Sequence, residues 1–345
     1  MRTSGELVAA LLAGSWRQQP DESALTLTDL VSVTPLLLQS GAGALAWHRL
    51  RNSALAKSPP AAELQQAYRL HAIQAALHET HLKEILKLLR YAGVEPILVK
   101  GWAIARLYPE SGLRPYGDFD LSVRPDDYKL ARAALRNAGD RYPVDLHKGT
   151  ALLDDREWDE VFERSQLVML DEVPVRVLAA EDHLRLLCFH WLRHGGERPI
   201  GLCDVALLLE THSAEFDWTI CFGNKRNHAG WISCVIGLAQ QLLNANVGEI
   251  PFPVKEKQPA WVVKSVLKAW GSSFSNHFSQ VAPMEFYWHH PRGLPQALAS
   301  RWPTPIVSTV GMDGSFNRLP RLPYQLGYLL LRSGRFVKQI ADHSE

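Results

Sequence analysis

The chain has 345 residues, 46% of them hydrophobic, which is enough to bury a substantial core and to form two or three domains. Its net charge of +1 argues against general electrostatic attraction to long nucleic acids. It contains no run of 18 apolar residues, and Glu6 interrupts the N-terminus before a signal-like apolar core can form, so the sequence predicts a cytoplasmic protein without membrane association.

Residues 1–92 are predicted to form an N-terminal helical region, with helices near 6–12, over 34–50 and over 61–91. In the last helix, apolar residues recur mostly at steps of three or four, which predicts a buried stripe. The stripe consists of Leu64, Ala67, Leu70, Ile73, Leu77, Leu82, Ile85, Leu88 and Leu89. The polar face carries His71, His78 and His81. A solvated helix face is favoured for these histidines over a metal site.

Residues 93–180 are predicted to form a mixed core that opens with a strand and a Lys-Gly turn. The segment 94–100 indicates a buried strand, and residues 102–108 can form a short helix directly after it. A glycine at such a junction lets the backbone approach a ligand, and a helix N-terminus offers free N–H groups to an anion. Lys100 adds a positive charge, so Lys100 and Gly101 are candidates for binding phosphates.

Two acids separated by one residue follow this turn. Asp118 and Asp120 lead into a short predicted strand that continues over 121–123. Side chains at positions i and i+2 of a strand project from the same face, roughly 6.6 Å apart. Two carboxylates this close repel each other, and magnesium is often held by one or two carboxylates together with phosphate oxygens of a substrate. The alternative is a turn with two solvated acids.

A third acid is predicted to reach this pair from the next strand. A helix over about 126–138, ended by Gly139, separates the pair from a strand at 142–147. Asp145 lies on that strand, so its carboxylate can face the first two. His147 shares the face of Asp145 by the same spacing. Three roles stay open for His147: contact with a second substrate, support of the metal ligands from behind, or packing in the core.

The rest of the chain is predicted to be a hairpin followed by the C-terminal helical region, residues 181–345. The hairpin pairs 166–170 with 173–178. Helices are predicted at 181–194, 203–211, 231–244, 261–270 and 323–340. The segment 271–320, rich in Gly, Pro, Ser, His and Trp, is predicted to be irregular. Asp182 and Asp204 are expected to cap or tie helices, and the four cysteines favour core thiols over a metal site.

The order of these motifs resembles that of the polymerase-β-like nucleotidyltransferase superfamily, in particular its branch of uncharacterised bacterial nucleotidyltransferases. That branch combines a Lys-Gly turn, an arginine before Asp-x-Asp, and Asp-Leu-His. The matching residues here are Lys100, Gly101, Arg114, Asp118, Asp120, Asp145, Leu146 and His147. The resemblance covers residues 93–192. It implies an α+β fold in which a core with a small mixed sheet is flanked by N- and C-terminal helical regions.

The resemblance also implies the activity of a nucleotidyltransferase, which transfers a nucleoside monophosphate from a nucleoside triphosphate to a hydroxyl or phosphate and releases pyrophosphate. Asp118 and Asp120 would hold Mg²⁺ (or Mn²⁺) with the triphosphate, and Asp145 would complete a second metal site or act as general base. Arg114 either reaches the phosphates or is a surface-loop arginine. ATP is the expected triphosphate, and a small molecule or biosynthetic intermediate is favoured as acceptor.

Two alternative functions stay open at this point. One is a nucleotide-binding or scaffold protein that kept the fold without catalysis, although the presence of all three acids argues against it. The other is a toxin that transfers nucleotides to tRNA or protein by the same chemistry. Two further motifs are weak. The small residues at 41–46 lack the βαβ unit of a dinucleotide site, and His190 and His194 lack the intervening glutamate of a zinc-protease helix.

Overall fold

The computed structural model describes residues 2–21, 25–139, 141–150, 153, 156–248, 250, 257–273 and 301–342. The N-terminal region forms four helices. They are α1 (Ser4–Leu12), α2 (Leu27–Gln39), α3 (Gly43–Leu50) and α4 (Pro59–Tyr91). The prediction of one helix over 34–50 is wrong, because the chain turns between α2 and α3 at Gly41, whose φ is +79°. Glycine adopts this left-handed conformation without the steric cost of a Cβ atom.

The prediction for α4 is correct for its C-terminal half and wrong for its middle. Its buried residues there are Leu82, Ile85, Leu86 and Leu89. In the middle, Leu70, Ile73 and Leu77 are exposed, and the three histidines are half-buried instead of solvated. The loop at Gly112 causes this, since it lies so close that a Cβ there would be 2.5 Å from the Ala72 nitrogen. The His78 ring consequently packs 5.0 Å from the Tyr116 ring, between ring centroids.

The core is built on a five-stranded sheet in the order β3-β2-β1-β5-β4. The strands are β1 (Ile97–Leu98), β2 (Phe119–Val123), β3 (Val144–Lys148), β4 (Gln166–Leu170) and β5 (Val173–Val177). β1 runs antiparallel to β2 and parallel to β5, β2 runs parallel to β3, and β4 and β5 form the predicted hairpin. The prediction of a small mixed sheet is confirmed, although the strand expected over 94–100 has only two residues in the ladder.

Helices cover both faces of this sheet. Three of them alternate with the strands: α5 (Trp102–Ala105), α6 (Tyr128–Asn137) and α7 (Trp158–Arg164). Leu98, Leu121 and Val175 point to one face, where they pack with buried residues of α4 and α6. Ile97 and Val99 point to the other face, where they join the larger core formed with the C-terminal helices. Because side chains alternate along a strand, Asp120 and Ser122 project to this second face.

The C-terminal region is helical. Its helices are α8 (Ala180–Arg193), α9 (Pro199–Thr211), α10 (Trp218–Phe222), α11 (Arg226–Leu243), α12 (Ala260–Trp270), α13 (Pro305–Gly311) and α14 (Leu322–Asp342). The prediction of an irregular segment over 271–320 is wrong for α13, which Thr304 caps by accepting from the Val307 N–H at 3.3 Å. Residues 274–300 of that segment lie outside the described residues. Within the described ranges, no helix is both long enough and apolar enough to cross a bilayer.

Candidate functional site

Asp120 and Asp145 stand side by side on neighbouring parallel strands. The register of β2 and β3 pairs Asp120 with Asp145 and Ser122 with His147. Paired side chains of parallel strands project from the same face, so both carboxylates and the imidazole converge. One ligand atom from each of Asp120, Asp145 and His147 lies within 4.8 Å of the other two. Since the Asp120 side chain is 6% exposed and that of Asp145 is 57% exposed, this cluster opens from the protein interior to the surface.

Lys100 reaches the same cluster from the end of β1. Just beyond β1, the Val99 N–H donates to the Asp120 carbonyl at 3.0 Å, which holds the residue before Lys100 against β2. The Lys100 Nζ lies 2.6 Å from Asp120 Oδ1, which also accepts from His147 Nε2 at 3.2 Å. Burial opposes ionisation of Asp120, but His147 and Lys100 outweigh it and hold its pKa below the usual value. Asp120 is therefore an ionised carboxylate with two cationic or hydrogen-bonding neighbours.

Asp118 lies beside this cluster, but it is not one of the three residues whose ligand atoms lie within 4.8 Å of one another. Asp118 precedes the first residue of β2, so the strand alternation that predicts a shared face with Asp120 does not extend to it. His147, whose Nε2 is also 3.4 Å from Asp145 Oδ2, occupies the third position of the group. Partial burial and the charges of Asp120 and Asp145 raise the pKa of Asp118, while Lys100 counteracts them. The charges of Asp120 and Asp145 therefore act on Asp118, although Asp118 is not one of the three clustered residues.

The Lys-Gly turn requires glycine at its second position. Gly101 has φ +62° and ψ −117°, a conformation that L-residues with a side chain rarely adopt. A Cβ at this position would lie 3.2 Å from the Asp118 carbonyl oxygen and 3.5 Å from the Tyr116 ring. The absence of a side chain allows the turn to lie directly against the segment that carries Asp118. Lys100 and Asp118 are held next to each other by this contact.

Arg114 is tied to helix α9 and is not a surface-loop arginine. Its Nη2 lies 2.9 Å from Asp204 Oδ2, and the side chains of Arg114 and Asp204 are 16% and 1% exposed. The Tyr108 hydroxyl donates to Asp204 Oδ1 at 2.8 Å. Burial alone would lower the pKa of Arg114, but Asp204 raises it above the usual value. Asp204 ties elements together, as expected, and so does Asp182, which is fully buried and accepts from Arg164 at 2.9 Å.

Helix α8 brings His190 and His194 close to the cluster, although their spacing lacks the glutamate of a zinc-protease helix. The rings of His190 and His194 are 4.5 Å apart between centroids. Burial, followed by the charge of Lys100, lowers the pKa of His190 to about 3, and the charge of Asp120 counteracts this shift. His190 is therefore a neutral imidazole near Lys100. The spacing of four residues on one helix was visible in the sequence, but the position of α8 over the sheet was not.

Comparison with known families decides the assignment. Residues 29–142 and 140–230 match the model of the family described as uncharacterised nucleotidyltransferase, and together they span more than half of the 345 residues. The chain belongs to this family. The matched residues include the whole sheet, the Lys-Gly turn and the cluster of Asp120, Asp145 and His147. Neither a curated protein nor a solved structure matches the chain.

Membership of this family confirms the resemblance deduced from the motifs. It makes the protein a transferase whose general chemistry is transfer of a nucleoside monophosphate, with a nucleoside triphosphate as substrate. The carboxylate and imidazole cluster is consistent with a divalent metal site in such an enzyme.

Proposed function

We propose that the protein is a metal-dependent nucleotidyltransferase that moves a nucleoside monophosphate, from ATP in the first instance, to the hydroxyl or phosphate of a small acceptor. The observation that carries this proposal is the convergence of Asp120, Asp145 and His147 within 4.8 Å, with Lys100 at their edge. An acceptor oxygen attacks the α-phosphorus, the bond from that phosphorus to the bridging oxygen breaks, and pyrophosphate leaves with the bonding electrons. Asp145 accepts the proton of the acceptor hydroxyl.

The chemistry of the donor set supports Mg²⁺ or Mn²⁺ as the cofactor. Asp120 and Asp145 offer carboxylate oxygens, which suit both ions, and the imidazole nitrogen of His147 is the softer ligand that Mn²⁺ accepts more readily. Asp118, whose pKa is raised by partial burial and then by the charges of Asp120 and Asp145, would contribute to holding the cation. When bound, the metal would neutralise the charge that develops on the phosphate oxygens.

The remaining residues of the cluster position the triphosphate and the acids. Lys100 pairs with Asp120 in this structure, and the same ammonium can neutralise phosphate oxygens at the adjacent Lys-Gly turn. Gly101 lets those phosphates approach the backbone, and the ion pair of Arg114 with Asp204 anchors the segment that leads to Asp118 against α9. Phosphoryl transfer demands mainly positioning and charge neutralisation, which is what these groups supply.

The proposal includes a cytoplasmic location, which four free, buried cysteines support because disulfides are rare in reducing compartments.

The proposal is tested by following the transfer of label from each of the four α-³²P-labelled nucleoside triphosphates to a small-molecule extract, with Mg²⁺, Mn²⁺ or EDTA. We expect transfer with metal, none with EDTA, and a loss of at least about 100-fold for Asp120→Asn. Asp126→Asn, which changes an exposed acid just before α6, is the matched control and should behave like the wild type. Equal transfer by wild type and Asp120→Asn would rule out the proposed site.

Binding of Mn²⁺, followed by electron paramagnetic resonance, tests the metal site without an acceptor. His147→Ala and Asp120→Asn should each weaken Mn²⁺ binding in the presence of ATP, while Asp126→Asn should not. Unchanged Mn²⁺ affinity in both cluster variants would show that these residues are not ligands.

A further inference from the structure

A second cleft lies in the helical part of the molecule and shares no residue with the candidate active site. It has a volume of about 570 Å³ and is lined by α1, α11 and α12 together with Arg49 at the end of α3. One wall is apolar. It is formed by Ala9, Ala10, Ala13, Leu25, Leu242, Val263 and Leu267. Volumes of this size are typical of sites for small organic ligands.

Arg49 supplies this cleft with a positive charge. Its Nε is shielded from solvent and has no hydrogen-bond partner among the described residues. Burial lowers the pKa of Arg49, Asp21 counteracts this shift and Arg17 adds to it. A guanidinium nitrogen that is shielded from solvent is unfavourable without a hydrogen-bond acceptor, because it has lost water without gaining a partner.

The neighbouring charges are already engaged. The position of a Cβ on Gly14 would be 3.0 Å from Arg17 Nη1 and 3.4 Å from Arg49 Nη1, so the two guanidinium groups are close neighbours. Arg17 is paired with Glu210, at 2.8 Å from Nη2 to Oε1. Glu6, on the rim of the cleft, accepts from the Thr3 N–H at 2.7 Å in the capping box of α1. Because none of the described residues offers the Arg49 Nε a hydrogen-bond acceptor, an anion from solution can supply one.

We propose that this cleft binds a small amphipathic anion. Its carboxylate or phosphate would accept hydrogen bonds from Arg49, and its aliphatic or aromatic part would lie along the apolar wall. Charged hydrogen bonds of guanidinium to these anions are strong and directional, and burial of the apolar part adds affinity. The inference does not depend on the proposed catalytic function, because none of the cleft residues belongs to the catalytic cluster.

The probes are sodium octanoate, which has both features, sodium acetate, which has only the charged group, and octan-1-ol, which has only the chain. Binding to the full-length protein is measured by titration with saturation-transfer difference NMR. We expect octanoate to bind at least about tenfold more tightly than either of the others, since a hydrogen bond to a charged group and the buried chain each contribute that much. Equal affinity of octanoate and octan-1-ol would overturn the role of Arg49.

Three variants locate the site. Arg49→Gln should weaken octanoate binding at least about tenfold, whereas Arg69→Gln, an exposed arginine of α4, should leave it unchanged. Ala10→Leu keeps the charge and fills the cleft from α1, so it should also weaken octanoate binding and tests the proposal even if Arg49→Gln does not fold. Asp120→Asn should bind octanoate as the wild type does. Octanoate binding that survives both Arg49→Gln and Ala10→Leu would place the ligand elsewhere and refute the proposal.

Discussion

Replacing Asp204 with asparagine will remove the counter-charge of the buried Arg114. The two side chains are 1% and 16% exposed, and their closest atoms are 2.9 Å apart. An asparagine carbonyl can still accept from the Tyr108 hydroxyl, which donates to Asp204 at 2.8 Å, so the neutral hydrogen bond is kept while the ion pair is lost. Removing one partner of a buried ion pair typically costs about 3–5 kcal/mol of the free energy of unfolding.

The assay is urea denaturation followed by tryptophan fluorescence and circular dichroism. For a chain of this length we use a slope of about 3 kcal/mol/M, so the unfolding midpoint of Asp204→Asn should fall by about 1–1.7 M. The matched control is Asp159→Asn, which breaks an arginine–aspartate pair of similar length, 2.7 Å to Arg124, whose side chains are 67% and 46% exposed. Its midpoint should move by no more than about 0.3 M, because exposed pairs contribute little.

The double variant Arg114→Met/Asp204→Leu removes both charges and should recover at least half of the lost midpoint, since an apolar pair of similar volume does not leave a charge unpaired. The reasoning is refuted if Asp204→Asn shifts the midpoint no further than Asp159→Asn. It is also refuted if the double variant is less stable than Asp204→Asn alone.

Two further predictions concern the residues around Asp120. Asp118→Asn should raise the melting temperature at pH 7, because the raised pKa means that the ionised form destabilises the folded state. This gain is full above the folded-state pKa and disappears below the unfolded value near 3.8, so equal gains at pH 3 and pH 7 would contradict it. Gly101→Ala should cost about 1–3 kcal/mol of unfolding free energy, because φ is +62° and a Cβ would crowd the Asp118 carbonyl. Gly117→Ala, where a Cβ meets open space, is the control, and chemical denaturation with an equal loss in both variants would contradict the argument.

Local patterns in the sequence predicted the elements that local rules control. The hairpin turns at Asp171, as predicted, with a φ of +51° that aspartate tolerates in turns. The strand that carries Asp145 also pairs with the strand of Asp120, which the order of the motifs implied. These features depend on neighbours within a few residues or on a short crossover, so the sequence contains the signal.

Long-range contacts could not be predicted in the same way. The pairing of Arg114 with Asp204 joins residues 90 positions apart, and no periodicity indicates it. The same is true of the middle of α4, where an apolar pattern predicts burial at Ile73 but the loop at Gly112 packs on the opposite side of the helix. His147 was identified as a candidate, whereas its contact with Asp120 depends on the registration of two strands.

The contact between Arg114 and α9 limits how this fold can be divided. Residues 93–180 contain the sheet and the catalytic candidates, but Asp204 lies outside that range. A fragment cut at residue 180 would expose the apolar face of the sheet. It would also leave the Arg114 guanidinium without the carboxylate of Asp204. The segment that contains the candidate active site therefore depends on α8 and α9, and a graft onto another scaffold would have to include both helices.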